Sequence, residues 1–353
     1  MPFSGSCCRV GLILILGAFF TAEIQAQVPA PPKKGPFPPT TKAPVPPGAK
    51  TPAGPKVPVA PSATNPGAAK ATASPQAKKG PKVPEPEDIG LDTKDGLSIK
   101  ATYYPGTLKK EAVPFILVHG LDGQRGDMHA LAVYLQTLGH AAIAPDLRGH
   151  GQSKSQKLGD GSSKSLDPDK MTKPQLESMV YDIEASKKYL LEKNNSGDLN
   201  IEQLCVVGAE FGAILAVRFA GLDWAKQDLP AYKLGKDVKA LVLLSPLAAF
   251  KGVAFREAMT VPGVSTNIAM LLVVGAEDSK SNSEVDKLHK QLETLHSKSD
   301  SKDIFVIKPD TKLAGVKLLS NSFDVKEKIG AFAEKTLVAK KANFAWQDRK
   351  NPL

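Results

Sequence analysis

"VVGAEFGA", Val206 to Ala213, is the stretch on which the reading of this chain turns. It closes an apolar run that begins at Leu204, brackets Ala209-Glu210-Phe211 between two glycines, and leads into a second apolar stretch. A short buried strand followed by a tight turn and a helix fits this pattern. Glycines at 208 and 212 allow the backbone to approach its neighbours closely at the turn. The residue at the centre of the turn is a carboxylate, Glu210.

Working outward, five more short runs are almost wholly apolar: Phe115–His119, Ala141–Pro145, Ala240–Ser245, Ala269–Val274 and Ile304–Ile307. Continuous apolar runs suit parallel strands covered on both faces. Before them, Leu97–Tyr104 alternates apolar and polar, and Asp95-Gly96 reads as a hairpin turn from a strand near Ile89–Thr93. Helical stripes lie between the runs. Met128, Leu131, Ala132, Leu135 and Leu138 make one; Leu176, Met179, Val180, Ile183 and Leu190 a second; Val285, Leu288, Leu292 and Leu295 a third; Val325, Ile329, Phe332 and Ala333 a fourth. Thr172, Pro174 and Gln175 carry the start signals of the second. Strands alternating with helices predict an α/β fold with a doubly wound, mostly parallel sheet.

The remainder of the chain differs in composition. Val10–Phe20 is an 11-residue apolar run behind Arg9, with Ile24-Gln25-Ala26 as a cleavage site; residues 1–26 read as an export signal. The run falls short of the roughly 20 residues needed to span a bilayer. The protein is therefore expected in the periplasm, cell envelope or extracellular space. Residues 27–84 contain nine lysines and no acid, which accounts for nearly all of the net charge of +10. Proline, alanine, lysine and glycine dominate there, so residues 27–87 are expected to be a disordered cationic linker. Residues 88–341 form the domain, and 342–353 a C-terminal tail. Cys205, the one cysteine beyond the signal, reads as a small buried hydrophobe. No histidine pair has metal-ligand spacing, so neither a metal nor a cofactor is expected.

In order along the chain stand His119-Gly120, "DLRGHGQS" (Asp146–Ser153), the Gly208–Gly212 turn, "LLSP" (Leu243–Pro246) and Gly275-Ala276-Glu277-Asp278, each after an expected strand. Together they resemble the α/β-hydrolase family over about residues 88–340. The resemblance implies a nucleophile elbow at Glu210, a triad acid at Asp278, and oxyanion-hole donors on the backbone of Leu121 and Phe211. It places the triad histidine in Pro309–Leu319, where Ala314 stands instead. No histidine follows His296. About 22 residues separate Pro246 from Ile268, so the lid is minimal and the cleft open.

Three readings follow. The first is a secreted hydrolase-fold pseudoenzyme that binds or scaffolds in the envelope, with Glu210 filling the oxyanion pocket and Lys312 pairing with it. The second is an active hydrolase on esters or amides using Glu210 or an unrecognised nucleophile. The third is adhesion of the cationic linker to an anionic envelope polymer or membrane surface; the linker has one aromatic residue, Phe37, and no aromatic interleaving for base stacking, so sequence-specific nucleic-acid binding is not expected. His119, His150, Ser245 and Arg148 read as architectural, and His129, His140, His289 and His296 as surface residues. The third reading predicts retention of the full-length protein on an anionic-polymer column, weakening steeply with salt and disappearing when residues 27–84 are deleted.

Overall fold

The computed structural model describes residues 83–157, 161–230, 232–296 and 303–349. The expected export signal and nearly all of the cationic linker lie outside the described residues. Eight strands form one sheet: β1 (Glu87–Asp92), β2 (Ser98–Tyr104), β3 (Pro114–Val118), β4 (Ala141–Pro145), β5 (Leu204–Ala209), β6 (Val238–Leu244), β7 (Ala269–Val273) and β8 (Ile304–Ile307). Their order is β1-β2-β4-β3-β5-β6-β7-β8. The hairpin turn at Gly96 (φ +81°) makes β1 antiparallel to β2, and β2 also runs antiparallel to β4; the other pairs are parallel.

The apolar runs are continuous because each central strand buries both faces. Ile116, Val118, Val206, Leu241 and Leu243 face one layer; Phe115, Leu117, Cys205, Val207, Val242 and Leu244 face the other. Helices α1 (His129–Thr137), α2 (Val180–Asn195), α3 (Phe211–Ala225), α4 (Ser279–His296) and α5 (Val325–Ala333) supply the covering layers. Leu131, Leu135, Ile329 and Phe332 of α1 and α5 join one cluster; Ile183, Leu190, Ile214, Leu215, Val285 and Leu292 of α2, α3 and α4 join the other. Helix α3 is buried nearly all round, as its apolar composition requires.

Several sequence expectations need correction. The stripe beginning at Leu176 is not one helix: a short turn of helix, Lys173–Glu177, carries the Thr172–Gln175 capping box and is separated from α2 by Ser178-Met179. The interruption lets Ser178 Oγ donate to Gln175 O at 2.7 Å and accept from Arg148 at 2.9 Å. Leu138 stands outside its stripe, 40% exposed, as the residue that closes α1. His140 and His296 are buried, not on the surface. His140 Nδ1 accepts from Val113 N, and burial pushes its pKa down to about 4.

Residues 344–349, expected as part of a tail, are bonded to the domain. Asn200 and Asn194 donate to the carbonyls of Phe344 (2.8 Å) and Gln347 (2.9 Å), and Arg349 inserts between Glu202 (2.6 Å) and Asp237 (2.7 Å). Lys187 and Lys233 also face Asp237, so its carboxyl is held ionised far below the ordinary range in spite of burial.

Arg148 of the turn after β4 makes more than a local pair. Its guanidinium holds Asp182 on α2 at 2.7 Å and Asp95 of the β-hairpin at 2.5 Å, with Arg148 and Asp182 both buried. Removing one partner of a buried pair leaves an uncompensated charge. Arg148→Ala is expected to lower unfolding free energy by about 3–5 kcal/mol, read as a reduced urea midpoint.

Candidate functional site

The elbow joins β5 to α3. Glu210 sits there at φ 50°, ψ −111°, a left-handed backbone unusual for a non-glycine residue. Its N–H donates to Leu244 O at 2.8 Å, which ties the turn to the end of β6. A Cβ on Gly208 would stand 2.7 Å from Ala213 Cα. A Cβ on Gly212 would collide with His119 O and lie 2.7 Å from Val118 O. Both glycines are therefore required for α3 to start against the end of β3.

Two peptide planes at this junction are pinned by their carbonyls. Gly120 O accepts from His119 Nδ1 at 2.6 Å and from Gly123 N at 3.1 Å. The N–H of the same trans peptide, Leu121, points the opposite way. Glu210 O accepts from Ala213 N at 3.1 Å, which directs the Phe211 N–H outward in the same manner. Neither N–H has an acceptor among the described residues. His119 holds the first plane as a neutral ring: its Nε2 accepts from Leu147 N at 3.1 Å, and burial pushes its pKa down to about 4. His150 Nε2 bonds Leu121 O and fixes the next peptide of the loop. Both rings are architectural.

The Glu210 side chain lies between two glycines. A Cβ on Gly120 would be 2.6 Å from Oε2, and one on Gly315 would be 2.9 Å from Cδ. Its carboxylate makes no hydrogen bond or ion pair with any described residue. Neither of the two N–H groups is bonded to it, contrary to the expectation that it fills their pocket. Burial raises its pKa; Asp122 adds to the rise, Lys317 and Lys280 oppose it, and Asp278 adds a smaller increment.

The expected ion pair with Lys312 is also not formed. Lys312 is largely exposed and its Nζ lies 3.7 Å from Glu277 instead. The loop geometry explains this: Ala276 N donates to Pro309 O (2.7 Å) and Glu277 N to Thr311 O (3.0 Å), so the loops after β7 and β8 are laced together with Lys312 on their outer side.

The other two positions lie on those laced loops. Asp278 accepts from Ser281 N through Oδ1 at 3.2 Å, while its buried Oδ2 has no partner among the described residues. Ala314 extends (φ −129°, ψ 162°) directly before Gly315, and Gly315 N donates to the buried Ser245 Oγ at 3.0 Å. Ser245 is thus the anchor of the loop that faces Glu210. The sequence signals for that role, an isolated serine before Pro246 and a glycine after Ala314, are too short to be read without coordinates. Among the described residues, no group of three His, Cys, Asp or Glu side chains is placed to hold a metal ion.

The family model for serine aminopeptidase S33 matches residues 110–300, more than half of the chain. The chain belongs to this α/β-hydrolase family. Among solved structures, the Pyrococcus furiosus esterase Pf2001 is similar, at 17% identity and TM-score 0.51, over 71% of this chain and 91% of the esterase. DcsB, solved in complex with its substrate analogue, is similar at 12% identity and TM-score 0.52, over 72% of this chain and all of that one. Identities this low concern the fold alone. No curated protein matches.

Within this family member, Glu210 leaves a titration signature. Its folded pKa lies above its unfolded value of about 4.3, so its contribution to stability is fully present below that value and is lost as pH rises through the folded pKa. Glu210→Gln lacks this loss. Melting temperatures of the two proteins should therefore differ little at pH 4, with the variant gaining on the wild type as pH rises toward 8.

Proposed function

We propose that this protein is a non-catalytic member of its family: an exported protein that uses a hydrolase scaffold for binding in the cell envelope. The observation that carries the reading is an elbow with intact backbone geometry but no serine and no imidazole. Glu210 stands at the nucleophile position, Ala314 at the histidine position, and the nearby His119 has both ring nitrogens committed to the backbone.

The chemistry explains why this matters. Acyl transfer on this fold needs a hydroxyl, a base to take its proton and an acid to orient the base. In a serine protease dissected by mutation, losing the nucleophile or the histidine alone costs about as much as losing the whole triad. A carboxylate can form an ester intermediate, but its hydrolysis still needs a base for water. The orphaned Asp278 Oδ2 is consistent with a relay that lacks its central member. The export signal and the lysine-rich segment support an envelope location, where the nine linker lysines would favour anionic surfaces.

Wild-type protein is expected to hydrolyse p-nitrophenyl acetate no faster than buffer. Glu210→Ser combined with Ala314→His restores the missing hydroxyl and imidazole, and should raise the rate at least tenfold above wild type. Wild-type turnover that is abolished by Glu210→Ala would reject the reading in favour of carboxylate-based hydrolysis.

A further inference from the structure

We propose that the connection from α3 to β6 is a membrane-contact surface: Leu229, Tyr232 and Leu234 enter the headgroup region of an anionic lipid bilayer, and the lysines around them meet the lipid phosphates. This surface shares no residue with the elbow, and its use does not depend on the non-catalytic reading above.

Exposed apolar side chains are concentrated there. Seven large ones are exposed among the described residues, and four of them fall on the last turns of α3 and the connection that follows: Leu222 (47%), Leu229 (47%), Tyr232 (38%) and Leu234 (40%). Single exposed apolar residues are ordinary, whereas a cluster marks a contact site. The backbone fixes this cluster. Leu229 N donates to Tyr232 O at 2.8 Å and Tyr232 N to Leu229 O at 3.0 Å, which closes a tight turn. Leu234 N donates to Asp228 Oδ1 at 3.2 Å. The base of the connection is fastened as well. Buried Asp223 accepts from the backbone of Asp237 (2.6 Å) and Val238 (3.0 Å), and Trp224 Nε1 donates to Val238 O at 2.8 Å. A Cβ on Gly235 would run into Asp223 O, so glycine lets the chain return this closely.

Charge selects the occupant. Lys226, Lys233 and Lys236 interleave with the apolar residues; of the two acids among them, Asp237 is buried and Asp228 is turned to Lys236 at 3.0 Å. A cavity of about 440 Å³ beside Leu234 has four lysines and two acids on its walls. One of those lysines, the exposed Lys188, has no acid partner among the described residues. Lysine stems lie along apolar surface while their ammonium groups stay in the polar layer, and anionic headgroups attract them there. Tyrosine favours the same interface. A second copy of the chain would set lysine against lysine. A stable protein interface buries roughly 800 Å² on each partner, far more than three half-exposed side chains offer, whereas shallow insertion into a bilayer needs only a few apolar anchors.

The nine linker lysines would also adhere to anionic vesicles, so the test alters apolar surface without altering charge. Full-length protein is floated with vesicles of equal parts phosphatidylcholine and phosphatidylglycerol. Leu229→Gln combined with Leu234→Gln should lower the vesicle partition coefficient by about tenfold, whereas Leu229→Met combined with Leu234→Met should leave it near the wild-type value. Both positions are exposed, so both pairs should melt with wild type. Independently, Tyr232→Trp should gain emission that vesicles with brominated acyl chains quench. Equal flotation of wild type and the glutamine pair would overturn the proposal, because the linker alone would then account for binding. Added emission from Tyr232→Trp that brominated lipid leaves unquenched would overturn it as well. Self-association of wild type that the glutamine pair abolishes would assign the patch to a second copy instead.

Discussion

The close approach of α3 to the end of β3 is the constraint on which the site depends. Even a methyl group at Gly212 would run into the carbonyls of Val118 and His119. With hydrogen there, the elbow closes against the end of β3 and Glu210 is held in a left-handed conformation. Such strain costs on the order of 1–3 kcal/mol and persists only where the surroundings over-determine it. Here the over-determination is visible: Glu210 N is tied to β6, Glu210 O to α3, and the Gly120 carbonyl of the loop after β3 to His119. Backbone geometry of this kind does not depend on which side chain occupies the central position.

Charge is distributed unevenly across the domain. Where the architecture needs it, charge is buried and paired. Arg148 joins Asp182 to Asp95, and Arg349 reaches Asp237, which also faces Lys187 and Lys233. At the carboxyl ends of β5 and β7 the pattern reverses. Among the described residues Glu210 has no hydrogen-bond or ion-pair partner, and one oxygen of Asp278 is buried without one. A protein places unpaired polar groups where they cost stability only if something else holds the structure. The paired networks, the laced loops after β7 and β8, and the two apolar layers do that here, so the site can carry polar groups that are free to meet a ligand.

Much of this organisation was legible from residue order. Strand runs separated by amphipathic stripes, a hairpin turn at Gly96, and glycines flanking residue 210 are local signals, and each corresponds to an observed element. The departures share a cause. His140 and His296 read as surface residues because histidine has no strong local preference, yet the packing of neighbouring elements buries them. Lys312 reads as a partner of Glu210 from its distance to Ala314 along the chain, but the lacing of two loops turns it outward toward Glu277. The C-terminal residues carry no helical or strand periodicity, and their attachment depends on Asn194, Asn200, Glu202 and Asp237, all far away in sequence.

The sequence by itself determined the layered α/β fold, the position of the elbow, and the absence of both a serine at 210 and a histidine after 296, because hydrophobic period, glycine placement and residue identity are properties of the chain alone. Only the tertiary structure decided that two N–H groups are pinned open, that the Glu210 carboxylate lies unbonded between Gly120 and Gly315, and that Asp278 keeps an orphaned oxygen. Those facts depend on how loops from four strands meet in space, and hydrogen-bond satisfaction is settled by that meeting rather than by any segment in isolation.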